Sequence, residues 1–209
     1  MTPPNTPAEL HAGLIEIYVL RAQGRHGLTQ INQLAHAVQS GALARQRRLP
    51  ASLVVASLLH DIGHMIHEPG HQPVTGLDKH HEAVGAHWLG QFFGPEVCEP
   101  IRLHVAAKRF LCGIDPTYLA RLSCDSVASL AVQGGPMNAE EIEAFKRQTY
   151  WREAVMLRMI DETAKDPDGP KPLFGTFWVD IEKVMLAHAR SQNRGKDGAA
   201  CMKSAAIQA

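Results

Sequence analysis

Leu58-Leu59-His60-Asp61-Ile62-Gly63-His64 closes a segment, Ala51 to Ile66, that is apolar on nearly every face. Such a run reads as a helix at the centre of the molecule, and Pro50 stands where a helix start tolerates proline. Two ionisable side chains placed there carry a heavy desolvation cost unless a partner offsets it. Adjacent helical residues point about 100° apart, so His60 and Asp61 reach one ligand only near a helix end or kink. Gly63 supplies that freedom. A lone histidine on an apolar helix is more often hydrogen-bonded in a core than metal-bound. Here His36, His81, His104 and Asp161 also fall within helical segments, and the set predicts a metal site.

Outward from that segment the chain reads as helices separated by glycine and proline. Leu14, Ile15, Tyr18 and Val19 recur at the three- and four-residue steps of a buried helical face. Thr29 is the expected N-cap of a helix running to about Arg47. Residues 67–77 read as a loop, followed by helices from Asp78 to about Phe92 and from Pro95 to about Leu111. Asp115-Pro116 opens a short helix, and Ser123 caps another through Ala131. Asn138 and Glu141 have the spacing of a capping box for Glu140 to Arg147. A helix from about Thr149 to Lys165, a proline-rich turn, and a last helix from Phe177 to Arg190 complete the series. No segment alternates with period two, and no internal repeat is evident. The expected fold is all-α, a single helical bundle of about eight to ten helices over residues 1–190, with 191–209 as a loosely held C-terminal extension.

Composition narrows the function classes. The 209 residues are 45% hydrophobic and 20% charged, which suits a globular domain rather than a disordered chain. Lys and Arg together equal Asp and Glu at 21 each, so no basic footprint points to nucleic acid. No apolar run approaches the roughly 20 residues that span a bilayer. Met1-Thr2-Pro3-Pro4 does not open a signal peptide, and four scattered cysteines form neither a metal motif nor a disulfide framework. The expectation is a cytoplasmic protein with reduced thiols, binding neither nucleic acid nor membrane. Its twelve histidines are the outlier.

The pattern His36, His60-Asp61, Asp161 resembles the HD-domain superfamily, whose members are all-α and bind divalent metals through such side chains. His81 and His104 match the members that hold two metals. The likeness narrows with Leu103-His104-Val105-Ala106-Ala107-Lys108, Asp115-Pro116-Thr117-Tyr118, Ser126 with Ser129-Leu130, and Gln133-Gly134-Gly135-Pro136-Met137. These resemble the HD oxygenases of phosphonate breakdown, the PhnZ/TmpB-like group, and the resemblance covers roughly residues 10 to 185. It implies a mixed-valent Fe(II)/Fe(III) pair, with His36, His60, Asp61 and Asp161 on one iron and Asp61, His81 and His104 on the other. A set of four imidazoles and two carboxylates suits iron better than magnesium or calcium. His80 competes with His81 for its role. The family motif, with Gly-Ala four residues after the ligand, favours His81, which precedes Gly85-Ala86 at that distance.

Helical spacing supplies the surroundings. Lys108 lies one turn after His104 and Arg158 one turn before Asp161. Ser126, Ser129 and Gln133 make a polar stripe at i, i+3 and i+7. Together they suit a tetrahedral oxyanion, against the alternative of a solvated face. His64 is either a phosphonate contact or an orienting neighbour of a ligand. The resemblance implies O2-dependent cleavage of a carbon–phosphorus bond in a 1-hydroxyalkylphosphonate, giving a carboxylate and inorganic phosphate. Members acting on aminophosphonates carry a Tyr-Gly-Gly-Glu segment whose counterparts here are His26 and Thr29; Glu16 is another candidate for the missing acid. A primary ammonium favours a buried carboxylate and a trimethylammonium favours apolar walls. The substitution therefore points to 1-hydroxy-2-(trimethylammonio)ethylphosphonate, with glycine betaine as product, over the unmethylated analogue that gives glycine. His26 is a candidate removable iron ligand. The alternatives are a metal-dependent phosphohydrolase of nucleotides or phosphate esters, and a catalytically inactive HD module.

Overall fold

A computed structural model describes residues 4–24, 28, 30–66 and 80–207, with side chains as far as 193. Ten α-helices and no strand are present among the described residues. They are α1 (Pro7–Ile15), α2 (Gln33–Gln46), α3 (Ala51–Leu59), α4 (His81–Leu89), α5 (Pro95–Ile114), α6 (Pro116–Ala120), α7 (Cys124–Val132), α8 (Ala139–Lys146), α9 (Trp151–Thr163) and α10 (Trp178–Ile207). A π-helical turn, Glu16–Arg21, continues α1, and 3-10 turns cover Ile62–His64 and Phe174–Phe177. No described helix is long and apolar enough to cross a membrane.

The caps show why the helices start where they do. Thr6, Asn32, Asp115, Ser123 and Asn138 each accept a backbone N–H of the first turn. Asn138 and Glu141 form the full reciprocal capping box. Helix α2 departs from expectation. It begins after Asn32, whose side chain accepts from Ala35 at 2.8 Å, and not after Thr29, which lies outside the described residues together with His26 and the 67–77 loop. Helix α4 is described from His81, and His80 before it is left-handed at φ 61°, so no helix runs through that position. Helix α10 continues past Arg190 to Ile207, correcting the expected end there. Alanine, lysine and methionine in that stretch are good helix formers and hold no proline.

The central segment also ends earlier than its apolarity suggests. Helix α3 stops at Leu59, where polar groups take its last carbonyls: His60 Nδ1 lies 2.9 Å from Ser57 O, and the Tyr18 hydroxyl donates to Leu58 O at 3.3 Å. The chain then turns through Asp61 into Ile62–His64. Helix α3 packs against α2, α5, α9 and α10, and Val55, Ala56, Leu58 and Leu59 are fully buried. A second apolar cluster joins Leu103 and Phe110 of α5 to Leu130, Phe145 and Ala154. Helices α5 and α9 belong to both clusters, since Ile101, Leu157 and Ile160 pack in the first.

Leu58 has no exposed surface, so Leu58→Ala removes buried methyl groups beside the His60–Asp61 turn. A loss of about 2–5 kcal/mol is expected, read as a lowered urea midpoint at unchanged slope.

Candidate metal centre

Five elements deliver the six residues that the sequence singles out. His36 comes from α2, His60 and Asp61 from the end of α3, His81 from the first position of α4, His104 from α5 and Asp161 from α9. His36, His60, His81, His104 and Asp161 are all buried. His36 Nε2 lies 3.2 Å from His60 Nε2 and 3.2 Å from Asp161 Oδ1. His81 Nε2 lies 3.0 Å from His104 Nε2. Asp61 stands between the two groups: its Oδ1 is 3.3 Å from His60 Nε2, 3.4 Å from His81 Nε2 and 3.8 Å from His104 Nε2, and its Oδ2 is 3.6 Å from His36 Nε2. Three groups of donor atoms close enough to hold an ion result, namely His36–His60–Asp161, His60–Asp61–His104 and Asp61–His64–His81.

The second ring nitrogens decide what these contacts mean. His36 Nδ1 faces Ala164 O at 2.8 Å, His60 Nδ1 faces Ser57 O at 2.9 Å, and His104 Nδ1 faces Ile101 O at 2.7 Å. A carbonyl only accepts, so each Nδ1 carries a proton, and a ring in that neutral tautomer presents an Nε2 lone pair. Lone pairs therefore converge on lone pairs and on carboxylate oxygens. A cation satisfies that arrangement. Four imidazoles and two carboxylates fit a first-row transition metal, and Nδ1–carbonyl bonds are the usual brace for metal-binding histidine.

Burial works against a charge on His60, but Asp61 and Asp161 raise its pKa above the ordinary histidine value, so without a cation between them it takes up a proton more readily. Burial alone would raise Asp61, but His60, His81 and His64 hold its carboxyl well below the usual range. Burial likewise opposes the charge on Asp161, which Arg158 and Lys165 nonetheless keep ionised. His104 is pushed well below the ordinary histidine value by burial and by His81 and His60, so it stays neutral.

A polar layer surrounds the cluster. Arg158 donates to Asp161 and Glu162, to the Tyr118 hydroxyl at 2.9 Å and to Ser126 Oγ at 2.9 Å. Lys165 Nζ lies 3.2 Å from Asp161 Oδ1 and 3.1 Å from Ser126 Oγ. Lys108, buried despite its charge, donates to Ser129 Oγ at 2.6 Å. Ser126 is buried, so this part of the stripe faces the protein interior and not solvent. Gln133 ends α7, partly buried. His64 stacks on His81 with ring centroids 3.9 Å apart, its Nε2 4.0 Å from Asp61 Oδ1. His80 turns outward with 84% of its side chain exposed, leaving His81 in the cluster. Glu16 pairs with Arg21.

Sequence reasoning missed Tyr18, Gln33, Glu162 and Lys165. Lys165 and Glu162 had a signal: they follow Asp161 by four and one residues, and Lys165 lies one turn along from Asp161. Gln33 is one turn before His36. Tyr18 had none, because its partner Leu58 is 40 residues away.

Gly63 fixes the approach of α4. A Cβ there would stand 2.0 Å from the His81 carbonyl oxygen, a backbone atom that cannot step aside. Gly63→Ala is expected to push His81 off the cluster, so that metal bound per chain falls while the helical far-UV signal stays. Arg158→Met leaves buried Asp161 without its main cation and is expected to cost about 3–5 kcal/mol. Because the folded-state values of Asp61 and Asp161 are depressed, their contribution is present above the unfolded carboxylate pKa and is lost as pH falls through the depressed values. Urea midpoints of metal-free protein between about pH 3 and 7 should show that loss moved to higher pH in Arg158→Met.

No protein-family model matches the chain. The chain is 39% identical over 182 residues to hydroxymethylphosphonate dioxygenase of Gimesia maris, covering 86% of this chain and 90% of that protein. It is 36% identical over 159 residues to [1-hydroxy-2-(trimethylamino)ethyl]phosphonate dioxygenase (glycine-betaine-forming) of Leisingera caerulea, covering 76% of this chain and 81% of that one. An uncharacterized protein, L432, of Acanthamoeba polyphaga mimivirus is 28% identical over 137 residues, covering 64% and 62% of the two chains.

Proposed function

The chain belongs to the PhnZ/TmpB-like HD-domain phosphonate dioxygenases, and on that premise we propose that it cleaves the carbon–phosphorus bond of a 1-hydroxyalkylphosphonate with O2. The products are a carboxylate and inorganic phosphate, a four-electron oxidation of C1 in which both atoms of O2 enter the products. The observation that carries this reading is Asp61, one carboxylate within reach of His36 and His60 on one side and His81 and His104 on the other.

The ligand set we propose is His36, His60, Asp61 and Asp161 for one iron and Asp61, His81 and His104 for the second, as a mixed-valent pair. Bound there, the pair supplies the redox chemistry that couples reduction of O2 to oxidation of the substrate carbon. The protein's own part is binding and orientation. Lys108 and Ser129, with Gln133 and His64, present cationic and neutral donors to a phosphonate, and Ser126 joins them on releasing the hydrogen that its hydroxyl gives Glu162. Arg158 has four hydrogen bonds to neighbouring side chains, so in this structure it braces Asp161 rather than standing open to an oxyanion.

The substrate we favour within the class is 1-hydroxy-2-(trimethylammonio)ethylphosphonate. A cavity of 220 Å³ opens one side chain away from Asp161. Leu28, Ile31 and Leu122 give it an apolar wall that suits methyl groups, and Asp125 and Gln30 on its polar side suit the charge of an ammonium of either kind. The relative at 39% identity acts on the smaller hydroxymethylphosphonate, which makes that compound the comparison substrate. His26 and Thr29 lie outside the described residues, and a removable-ligand role for His26 stays a proposal.

Iron-loaded protein given the trimethylammonio substrate should release phosphate with matched O2 uptake, and 18O2 should label the carboxylate. Phosphate release from phosphate esters under argon, with none from the phosphonate in air, would identify a metal-dependent phosphohydrolase instead. A higher kcat/KM for the primary amine would overturn the methylated assignment.

A further inference from the structure

Gln33 is the first residue of α2, one turn before His36, and only 1% of its surface is exposed. Its backbone is fixed: the Gln33 N–H donates to Gly24 O at 3.1 Å and the next N–H, of Leu34, to Ala22 O at 3.0 Å. Its side-chain Nε2 donates to Asp61 Oδ2 at 3.4 Å. A carboxylate accepts only, so the amide nitrogen must face Asp61 and the oxygen must face away from it. That oxygen, Oε1, is buried and has no hydrogen-bond partner. The orphan hydroxyls of Ser40 and Ser57 are buried as well, but Gln33 differs in touching a carboxylate of the cluster. The two heteroatoms of an amide are about 2.2 Å apart by covalent geometry, which keeps Oε1 beside the metal centre.

A buried carbonyl oxygen without a donor is costly, and one placed at a binding site calls for a donor from the ligand. A 1-hydroxyalkylphosphonate has few to give. Its phosphonate oxygens accept, its C1 hydrogen is no useful donor, and a trimethylammonium carries no N–H. The hydroxyl on C1 is the one strong donor common to the class. We propose that Gln33 is a specificity-determining residue whose Oε1 accepts the hydrogen of the substrate's C1 hydroxyl while its Nε2 holds Asp61. This inference rests on the phosphonate reading above for its substrate class. It adds that the site selects the hydroxyl itself and not the phosphonate alone.

Two ligands differing only in that hydroxyl test it: hydroxymethylphosphonate and methylphosphonate. Binding of each to the iron-loaded protein is measured by calorimetry under argon, so that no turnover intervenes, with iron content measured alongside. Wild type should prefer the hydroxylated ligand. Gln33→Met keeps length and loses both the acceptor and the donor to Asp61; with affinities compared per chain holding two irons, it should weaken hydroxymethylphosphonate about tenfold and leave methylphosphonate within about twofold. Equal weakening of both ligands, or of neither, overturns the assignment. Gln33→Glu retains an acceptor at the same reach. Should the Met variant fail to fold, a wild-type preference kept in Gln33→Glu supports the assignment and its loss overturns it. Failure of the oxygenase reading looks different, since it shows as wild type releasing no phosphate from the phosphonate in air, whatever the ligand preference.

Discussion

His36, His60 and His104 direct their Nδ1 protons to backbone carbonyls, so their Nε2 lone pairs meet in a buried space beside two ionised aspartates. That convergence of electron pairs is unfavourable for the bare protein and favourable once cations occupy it. The rest of the molecule is arranged to hold it in place. The carbonyls that orient His60 and His104 lie three residues earlier, Ser57 and Ile101, so α3 and α5 aim those rings locally, while His36 is aimed from another element by Ala164 just after α9. A shift of α9 against α2 would turn the His36 ring, whereas shifts between the other helices would change the distances among the rings.

The end of α3 is where fold and chemistry meet. An uninterrupted helix would carry Asp61 100° away from His60 and bury one of them against apolar neighbours. The helix instead stops, with Tyr18 and His60 taking its last carbonyls, and the released chain presents both side chains to one space. Gly63 then lets the carbonyl of His81 approach closely, which brings α4 and its first residue to the cluster. The histidine that precedes it, left-handed at its backbone, is directed to solvent.

Charge balance extends the site beyond its ligands. Asp161 and Glu162 together face Arg158 and Lys165, so the carboxylate beside the metal stays ionised in a buried place. Lys108 donates to Ser129, which in turn donates to the backbone carbonyl of Ser126. Helical spacing alone puts Lys108 and Arg158 on an equal footing, and their different partners separate them.

The amino-acid sequence determined the helical class, most of the caps and the six metal-binding candidates, because capping and ligand identity are local properties of residue type and spacing. His60, Asp61 and Gly63 could be read together since they are neighbours, and Lys108 and Arg158 since each lies one turn from a ligand. The extent of α3, the outward turn of His80 and the partnership of Gln33 with Asp61 were decided only by tertiary structure. Each depends on a contact between segments far apart in the chain, such as Tyr18 with Leu58 or Gly63 with the His81 carbonyl, and no periodicity within a single segment encodes which distant backbone atom it will meet.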